Sequence, residues 1–322
     1  MKPFIGCDLG GTNLRAAIID NDAGAVMHQV TIPTMAREGD EAVMMRMADL
    51  ILQVIQSAGL HREAIGGIGI GVPGVLDLEK GETLFLPNLP GTWPHVPLSA
   101  VMADLTGLPA AIINDVRSIT LGEWRFGAGR GVDTLAVLAI GTGIGGGLVI
   151  NGQLHLGRGG TGGELGHTVI NFNGPRCGCG NYGCLEAYAS GPAISSMGMK
   201  AVAQGLTTRI GDLCNYDLNL ITPALIAQAA QAGDEIARDI YEKVGFYLGV
   251  AATSICASIG PRRFILAGGV AHAGRLLFDP MMRTMRERVT IMPVQQVEIV
   301  PALLGDNAGV IGAALWAEKY AR

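Results

Sequence analysis

Phe4-Ile-Gly-Cys-Asp-Leu-Gly-Gly-Thr-Asn-Leu-Arg-Ala-Ala-Ile-Ile-Asp20 decides how this chain is read. An apolar run, a glycine turn and a second apolar run spell strand, turn, strand. The pattern returns as Leu135-Ala-Val-Leu-Ala-Ile-Gly-Thr-Gly-Ile-Gly-Gly-Gly-Leu-Val-Ile-Asn151. Both copies carry Gly-Thr at the turn, Gly11-Thr12 in one and Gly141-Thr142 in the other. Backbone N–H groups in such turns can cradle phosphate oxygens, and glycine lets the backbone come close to them. Taken singly, each copy also reads as an ordinary hairpin. As a pair they predict two related lobes facing one cleft.

Rival glycine motifs fail on context. Gly141-x-Gly143-x-x-Gly146 matches the dinucleotide fingerprint in letters. That fingerprint must open a helix, whereas Leu148-Val-Ile-Asn-Gly152 continues as a strand into an Asn-Gly turn. No Gly-Lys-Ser/Thr closes either loop, which excludes a Walker A site. A protein kinase is excluded by the lack of His-Arg-Asp and Asp-Phe-Gly.

The 322 residues suffice for two domains with sizeable cores. Apolar residues make up 49% and charged residues 16%, the balance of a compact enzyme rather than a disordered chain. A net charge of −5, without a basic stripe, argues against a nucleic-acid partner. The longest apolar window, Thr134 to Ile150, is broken by glycines, so no membrane span is expected. Three clustered and three scattered cysteines, with no signal-peptide pattern, suit a reducing cytoplasm.

Further elements fit an α/β layout. Met44, Met47, Leu50, Ile51, Val54 and Ile55 follow a helical stripe that Gly59 ends. Ile65 to Gly74 reads as a buried strand, and Ala110 to Asp115 as another that ends in Asn114-Asp115. Helical patterns dominate from Thr222, interrupted by a strand at Arg263 to Val270, and a last helix runs from about Val310 to Tyr320. Asp8, Asn114-Asp115, Gly141 to Gly147 and Gly268-Gly269 all fall at the carboxyl ends of strands, where open α/β sheets bind ligands. Asp8 either caps its own turn or faces a hydrated Mg²⁺ beside phosphates.

Between Gly163 and Glu186 the chain places His167, Cys177, Cys179 and Cys184, a Cys3His set of the kind that closes a tetrahedral zinc site. All four positions are protein ligands, so the expected zinc is structural. Glu164 and Glu186 flank the knot. They are candidates for binding a polar ligand, for orienting His167, or for both.

With these motifs the sequence resembles the ROK family of sugar kinases and sugar-responsive repressors, nearly end to end, and its bacterial glucokinases most. The matching motifs are Asp8-Leu-Gly-Gly-Thr-Asn13, Gly141-Thr-Gly-Ile-Gly-Gly-Gly147, Leu266-Ala-Gly-Gly-Val270, and Gly163-Glu-Leu-Gly-His167 with Cys177 to Glu186. The resemblance implies an actin-like, hexokinase-like (ribonuclease H-like) α/β fold with a small zinc loop. Its small lobe would hold 1–118 plus 306–322, and its large lobe 119–305.

The same resemblance implies ATP-dependent phosphorylation of a hexose, glucose first, with N-acetylmannosamine, fructose, mannose and allose as alternatives and a non-catalytic sugar sensor or repressor as the rival class. Asp115 is implied as the catalytic carboxylate. Asn88, Asn114, Asp115, Glu164, His167 and Glu186 are implied as sugar contacts. Asp8, Gly10, Gly11, Thr12, Asn13, Gly141, Thr142, Gly143, Gly268 and Gly269 are implied for ATP and Mg²⁺. ATP and polyphosphate both stand as phosphate donors, and a homodimer or homotetramer is expected. Only three residues precede the first strand, so the N-terminal helix-turn-helix of the family's repressors is not expected. One departure stands out. Where many relatives continue Asn-Asp-Ala-Asn, this chain has Asn114-Asp115-Val116-Arg117, and the role of that second Asn does not transfer to Arg117.

Overall fold

The computed structural model describes residues 2–321. The opening motif forms β1 (Phe4–Leu9) and β2 (Asn13–Asp20), paired antiparallel, with β3 (Ala25–Pro33) antiparallel on β2. The methionine stripe forms α1 (Asp40–Ser57), whose Met47, Ile51 and Val54 share a core with Ile5, Cys7 and Leu9 of β1. β4 (Ile68–Val72) returns parallel to β1. A short hairpin follows, β5 (Val75–Asp77) and β6 (Glu82–Phe85). Then α2 (Leu98–Thr106) leads into β7 (Ala110–Asn114), parallel to β4. The sheet order is β3-β2-β1-β4-β7.

The sequence reading ends this strand at Asn114-Asp115. In the structure Asp115 instead opens helix α3 (Asp115–Phe126). The cause is local: Asn114 Oδ1 accepts the Val116 and Arg117 amides at 3.1 and 3.2 Å, an N-cap that turns strand into helix.

The second copy forms β8 (Leu135–Ile140) and β9 (Ile144–Ile150), and β10 (Gln153–Leu154) pairs antiparallel with β9. Asn151 and Gly152 make the expected two-residue turn, with φ of 51° and 71°. Helices α4 (Glu186–Ala189), α5 (Gly191–Ala203), α6 (Arg209–Leu213), α7 (Pro223–Gln231) and α8 (Glu235–Ile259) precede β11 (Arg263–Ala267). β11 runs parallel to β8, and after α9 (Arg275–Arg288) comes β12 (Glu298–Pro301), parallel to β11. This sheet has the order β10-β9-β8-β11-β12. Counted along the chain, both sheets run third, second, first, fourth, fifth.

Two compact units result. One holds Met1–Val132, Gly147–Gly163 and Ala302–Arg322, the other Asp133–Gly146 and Glu164–Pro301. The division expected at 118/119 would cut α3. The compact unit instead keeps that helix whole and runs to Val132, whose carbonyl accepts Trp124 Nε1–H at 3.1 Å. The first unit is completed by α10 (Ala308–Tyr320). That helix lies so close to the sheet that a Cβ on Gly6 or Gly69 would stand 1.7 or 1.8 Å from the Val310 or Ala313 carbonyl oxygen. Only glycine fits at both strand positions. Ala17, Ile19, Val310, Ile311 and Ala314 fill the layer between. Buried Glu123 of α3 takes the Leu303 and Leu304 amides, which fixes the approach to α10. In the second unit α8 packs on α9 through Gly245 and Gly249, which face Pro280 and Thr284. Among the described residues no helix is long and apolar enough to cross a membrane.

Candidate active site

In the first unit the parallel strands β1, β4 and β7 bring two aspartates to either side of Gly71. A Cβ built on Gly71 of β4 would lie 3.7 Å from Asp8 Oδ1 and 3.7 Å from the Asp115 Cα. Asp8 ends one neighbouring strand, and Asp115 starts the helix after the other. Both are half-buried. The turn after Asp8 is held from within: Gly10 N–H donates to Asn13 O at 3.0 Å, and Thr34 donates its hydroxyl to Gly10 O at 2.6 Å. Gly11, Thr12 and Asn13 remain exposed at its tip. Asn88 is exposed too, in a loop whose Asn88 carbonyl oxygen would stand 3.2 Å from a Cβ on Gly11. Thr92, Trp93 and His95 of that loop have left-handed backbones, with φ of 55°, 46° and 55°. The buried Trp93 and the bond from Thr83 Oγ1 to its carbonyl hold that geometry in place.

Asp8 faces Arg15 directly across the β1–β2 pair. Arg15 also holds the Asp306 carbonyl and lies 3.4 Å from the Asp306 carboxylate. Burial pushes the Asp8 carboxyl above the ordinary carboxylate range; Arg15 works against the shift and Asp306 adds to it. The fold therefore binds the Asp8 proton more tightly than the unfolded chain does. That contribution is complete below the ordinary carboxylate range and is lost as pH rises through the raised value. At neutral pH an ionised Asp8 is a net cost that a cation offsets. Asp8→Asn is accordingly expected to unfold at higher urea than the wild type at pH 7, with the gap closing as pH falls to the carboxylate range. Activity should fall by roughly 10², as when a charge-stabilising group is lost. A variant less stable than wild type at pH 7 would contradict the account.

Asn114 is largely committed to the fold. Its Oδ1 caps α3 and accepts Arg117 Nη1–H at 2.7 Å, and its Nδ2 donates to Gly74 O at 3.1 Å. One amide hydrogen is left for a ligand.

In the second unit His167, Cys177, Cys179 and Cys184 come together with all four donor atoms within 4.8 Å of one another. Cys179 and Cys184 Sγ are 3.8 Å apart, and Cys177 Sγ is 3.7 Å from His167 Nδ1. A zinc tetrahedron with Zn–S near 2.3 Å and Zn–N near 2.0 Å has edges of about 3.8 Å (S···S) and about 3.5 Å (S···N). The donor set fits the ion. The loop is shaped by the bridges Val169↔Cys184 and Arg176↔Tyr182, and the Cys177 amide bonds to Asn181 O at 2.7 Å. Burial and the adjoining thiols push Cys184 up to about 12, so three thiolates this close need a cation among them. With Nδ1 turned to the sulfurs, His167 Nε2 is left for other work.

Glu186 links this knot to the second glycine turn. Its Oε2 accepts the Ile144 amide at 2.8 Å, and its Oε1 lies 3.6 Å from Cys177 Sγ. A Cβ on Gly143 would strike Oε2 at 2.5 Å. The turn closes through Gly141 N–H to Gly143 O at 2.9 Å, and Gly141 O takes the Gly191 amide at the start of α5. At the end of β11, Gly268 packs against the Ile140 carbonyl with φ of 83°. Gly269 lines a cavity of about 190 Å³ with Gln228, Gln231, Tyr241 and His272. A larger groove of about 470 Å³, along Leu52, Ile55 and His61, contains none of the expected site residues.

Residues 4–320 match the family described as ROK. The chain belongs to the ROK family. This ROK protein is 39% identical over 315 residues to the glucokinase of Thermotoga maritima, covering 97% of this chain and 96% of the relative. It is 34% identical to the xylose repressor of Caldicellulosiruptor bescii over 96% of this chain and 76% of the repressor. Among solved structures it is similar to the ROK glucokinase of Streptomyces griseus in complex with glucose and AMPPNP. The TM-score is 0.84 at 30% identity, covering 98% and 99% of the two chains. The fold is the actin-like, hexokinase-like fold of sugar kinases, as the resemblance implies. Sequence reading of this ROK protein missed Arg15 and Asp306, which join Asp8 only through strand register and a contact 291 residues away. It also missed the cavity residues Gln228, Tyr241 and His272, which carry no motif.

Proposed function

We propose that this ROK protein is a cytoplasmic hexose kinase that transfers the γ-phosphoryl group of ATP to the 6-hydroxyl of glucose. The observation that carries the reading is the pair Asp8 and Asp115 around Gly71. Phosphoryl transfer needs one carboxylate on the cation side of the phosphates and one at the attacking hydroxyl, with little covalent work beyond positioning. Asp115 accepts the hydroxyl proton and aims the oxygen. Asp8 would hold the Mg²⁺ that accompanies ATP, which would supply charge neutralisation at the phosphates. Amides near Gly10–Asn13 and Gly141–Gly143 cradle the phosphates, and the Gly268-Gly269 cavity takes the adenosine. Glu164, Glu186, His167 Nε2, Asn88 and the remaining Asn114 hydrogen meet sugar hydroxyls. Zinc on His167, Cys177, Cys179 and Cys184 is structural and keeps the sugar loop rigid. Sugar binding closes the site, because water is a competing nucleophile. The chain works as a homodimer or homotetramer, which light scattering decides.

Sites built from directed hydrogen bonds discriminate steeply, since the wrong sugar leaves a buried group unpaired. The test compares kcat/KM for glucose, mannose, fructose, allose and N-acetylmannosamine at matched ATP, with polyphosphate as a second donor. Glucose is expected to lead mannose by at least about tenfold, with product phosphorylated at the 6-position. A tenfold lead for N-acetylmannosamine would overturn glucose and leave hexose kinase standing. No ADP release with any sugar would overturn both. The similarity to xylose repressors keeps DNA binding in view. Sequence-specific retention of operator-like DNA at nanomolar protein would favour that second reading.

A further inference from the structure

Arg117, in the first turn of α3, is a cation only 2% exposed. Bonds of its guanidinium reach both the start of α3 and the backbone of residue 162. Nη1 donates to Asn114 Oδ1 at 2.7 Å, while Nε and Nη2 both donate to Gly162 O, at 3.0 and 2.6 Å. Gly162 closes a glycine strap, residues 157–163, in which Gly157, Gly159, Gly160 and Gly163 have φ of 63°, 62°, 81° and 88°. Such a segment loses much backbone freedom on ordering and brings few side chains to hold it. At its start Leu156 packs with Ile113 and Trp316, and the Gly162 amide folds back to Leu156 O at 2.7 Å. At its far end the Arg117 fork grips the backbone. Gly163 ends the strap, and Glu164 follows it.

We propose that Arg117 is a positioning residue: it locks the 157–163 strap to the start of α3 and sets two sugar-binding groups at once. One is the Asn114 amide, whose Oδ1 it fixes while Nδ2 donates to Gly74 O. The other is Glu164, which follows the strap. A planar fork with several donors suits this task, and a lysine's point charge does not. The assignment rests on the hexose-kinase reading for its effect on sugar, but the lock itself does not depend on it.

The experiment uses the full chain with Arg117→Met and Arg117→Lys. Two quantities are read: amide hydrogen exchange at 157–163 without ligand, and KM for glucose and for ATP. Arg117→Met is expected to speed strap exchange at least tenfold and raise glucose KM at least tenfold, with ATP KM within twofold of wild type. Arg117→Lys should recover only part of both losses. Should Arg117→Met fail to fold, Arg117→Lys carries the test, with both quantities expected to shift in the same direction. Unchanged strap exchange in a folded variant overturns the lock. Faster exchange with unchanged glucose KM overturns the role in sugar binding. A general loss of stability that moves both KM values equally reduces Arg117 to a structural residue and also overturns the proposal. If the wild type phosphorylates no sugar, the hexose-kinase reading falls, and strap exchange alone still decides the lock.

Discussion

Asp115→Asn should leave the melting curve and glucose affinity almost untouched while turnover falls by roughly 10² to 10⁴, the range for a lost general base. The change is isosteric, and the bond from the Val116 amide to Asp115 Oδ1, 2.8 Å long, can pass to the amide oxygen. Asn114, not Asp115, supplies the cap that starts α3, so the helix survives. What disappears is the proton acceptor. The mutant should therefore bind sugar and nucleotide and stall before transfer. Calorimetric titration with glucose and a coupled ADP assay separate the two steps. A variant that keeps most of its turnover with an unchanged melting curve would remove Asp115 from the chemistry.

Cys179→Ser should lose the metal, the sugar and part of the fold together. Freshly purified wild type is expected to carry about one zinc per chain, as one Cys3His set demands. Cys179 is the exposed member of the set, so little packing is lost with its sulfur. Any large effect then reports the ion. The knot also sets Glu186, whose carboxylate spans Cys177 and the Ile144 amide of the second glycine turn. Structural zinc sites in small peptides are worth about 10 to 16 kcal/mol, and a fraction of that is a large share of a domain's stability. Elemental analysis, melting temperature and glucose KM should move as one. Zinc-free wild type with full activity would sink the assignment.

The legible part of this molecule was its local part. Glycine turns, the Asn-Gly hairpin, the methionine stripe and the Cys3His cluster each lie within a short window, and each appears as read. The carboxylates were legible singly, but their meeting around Gly71 depends on β1, β4 and β7 lying side by side. Asp115 is a helix start rather than a strand end because one side chain, Asn114, caps it, and a cap of that type was there to be noticed. Arg15 with Asp306, and Arg117 with Gly162, span 291 and 45 residues. No local pattern announces such pairs. The boundary of the first compact unit was hidden for a similar reason, since the division falls beyond a continuous helix and not at a polar linker.

Helix α10 supplies the floor of a sheet whose strands were made long before it. Asn21 donates to Ala314 O across 293 residues, and Gly6 receives the Val310 carbonyl in place of a side chain. A growing chain at the ribosome therefore holds β1, β2 and β4 with one apolar face uncovered until α10 has emerged. Residues of α10 belong to the first unit and not to the second. The exposed early strands are where chaperones have most to do, and where a premature stop does the most damage.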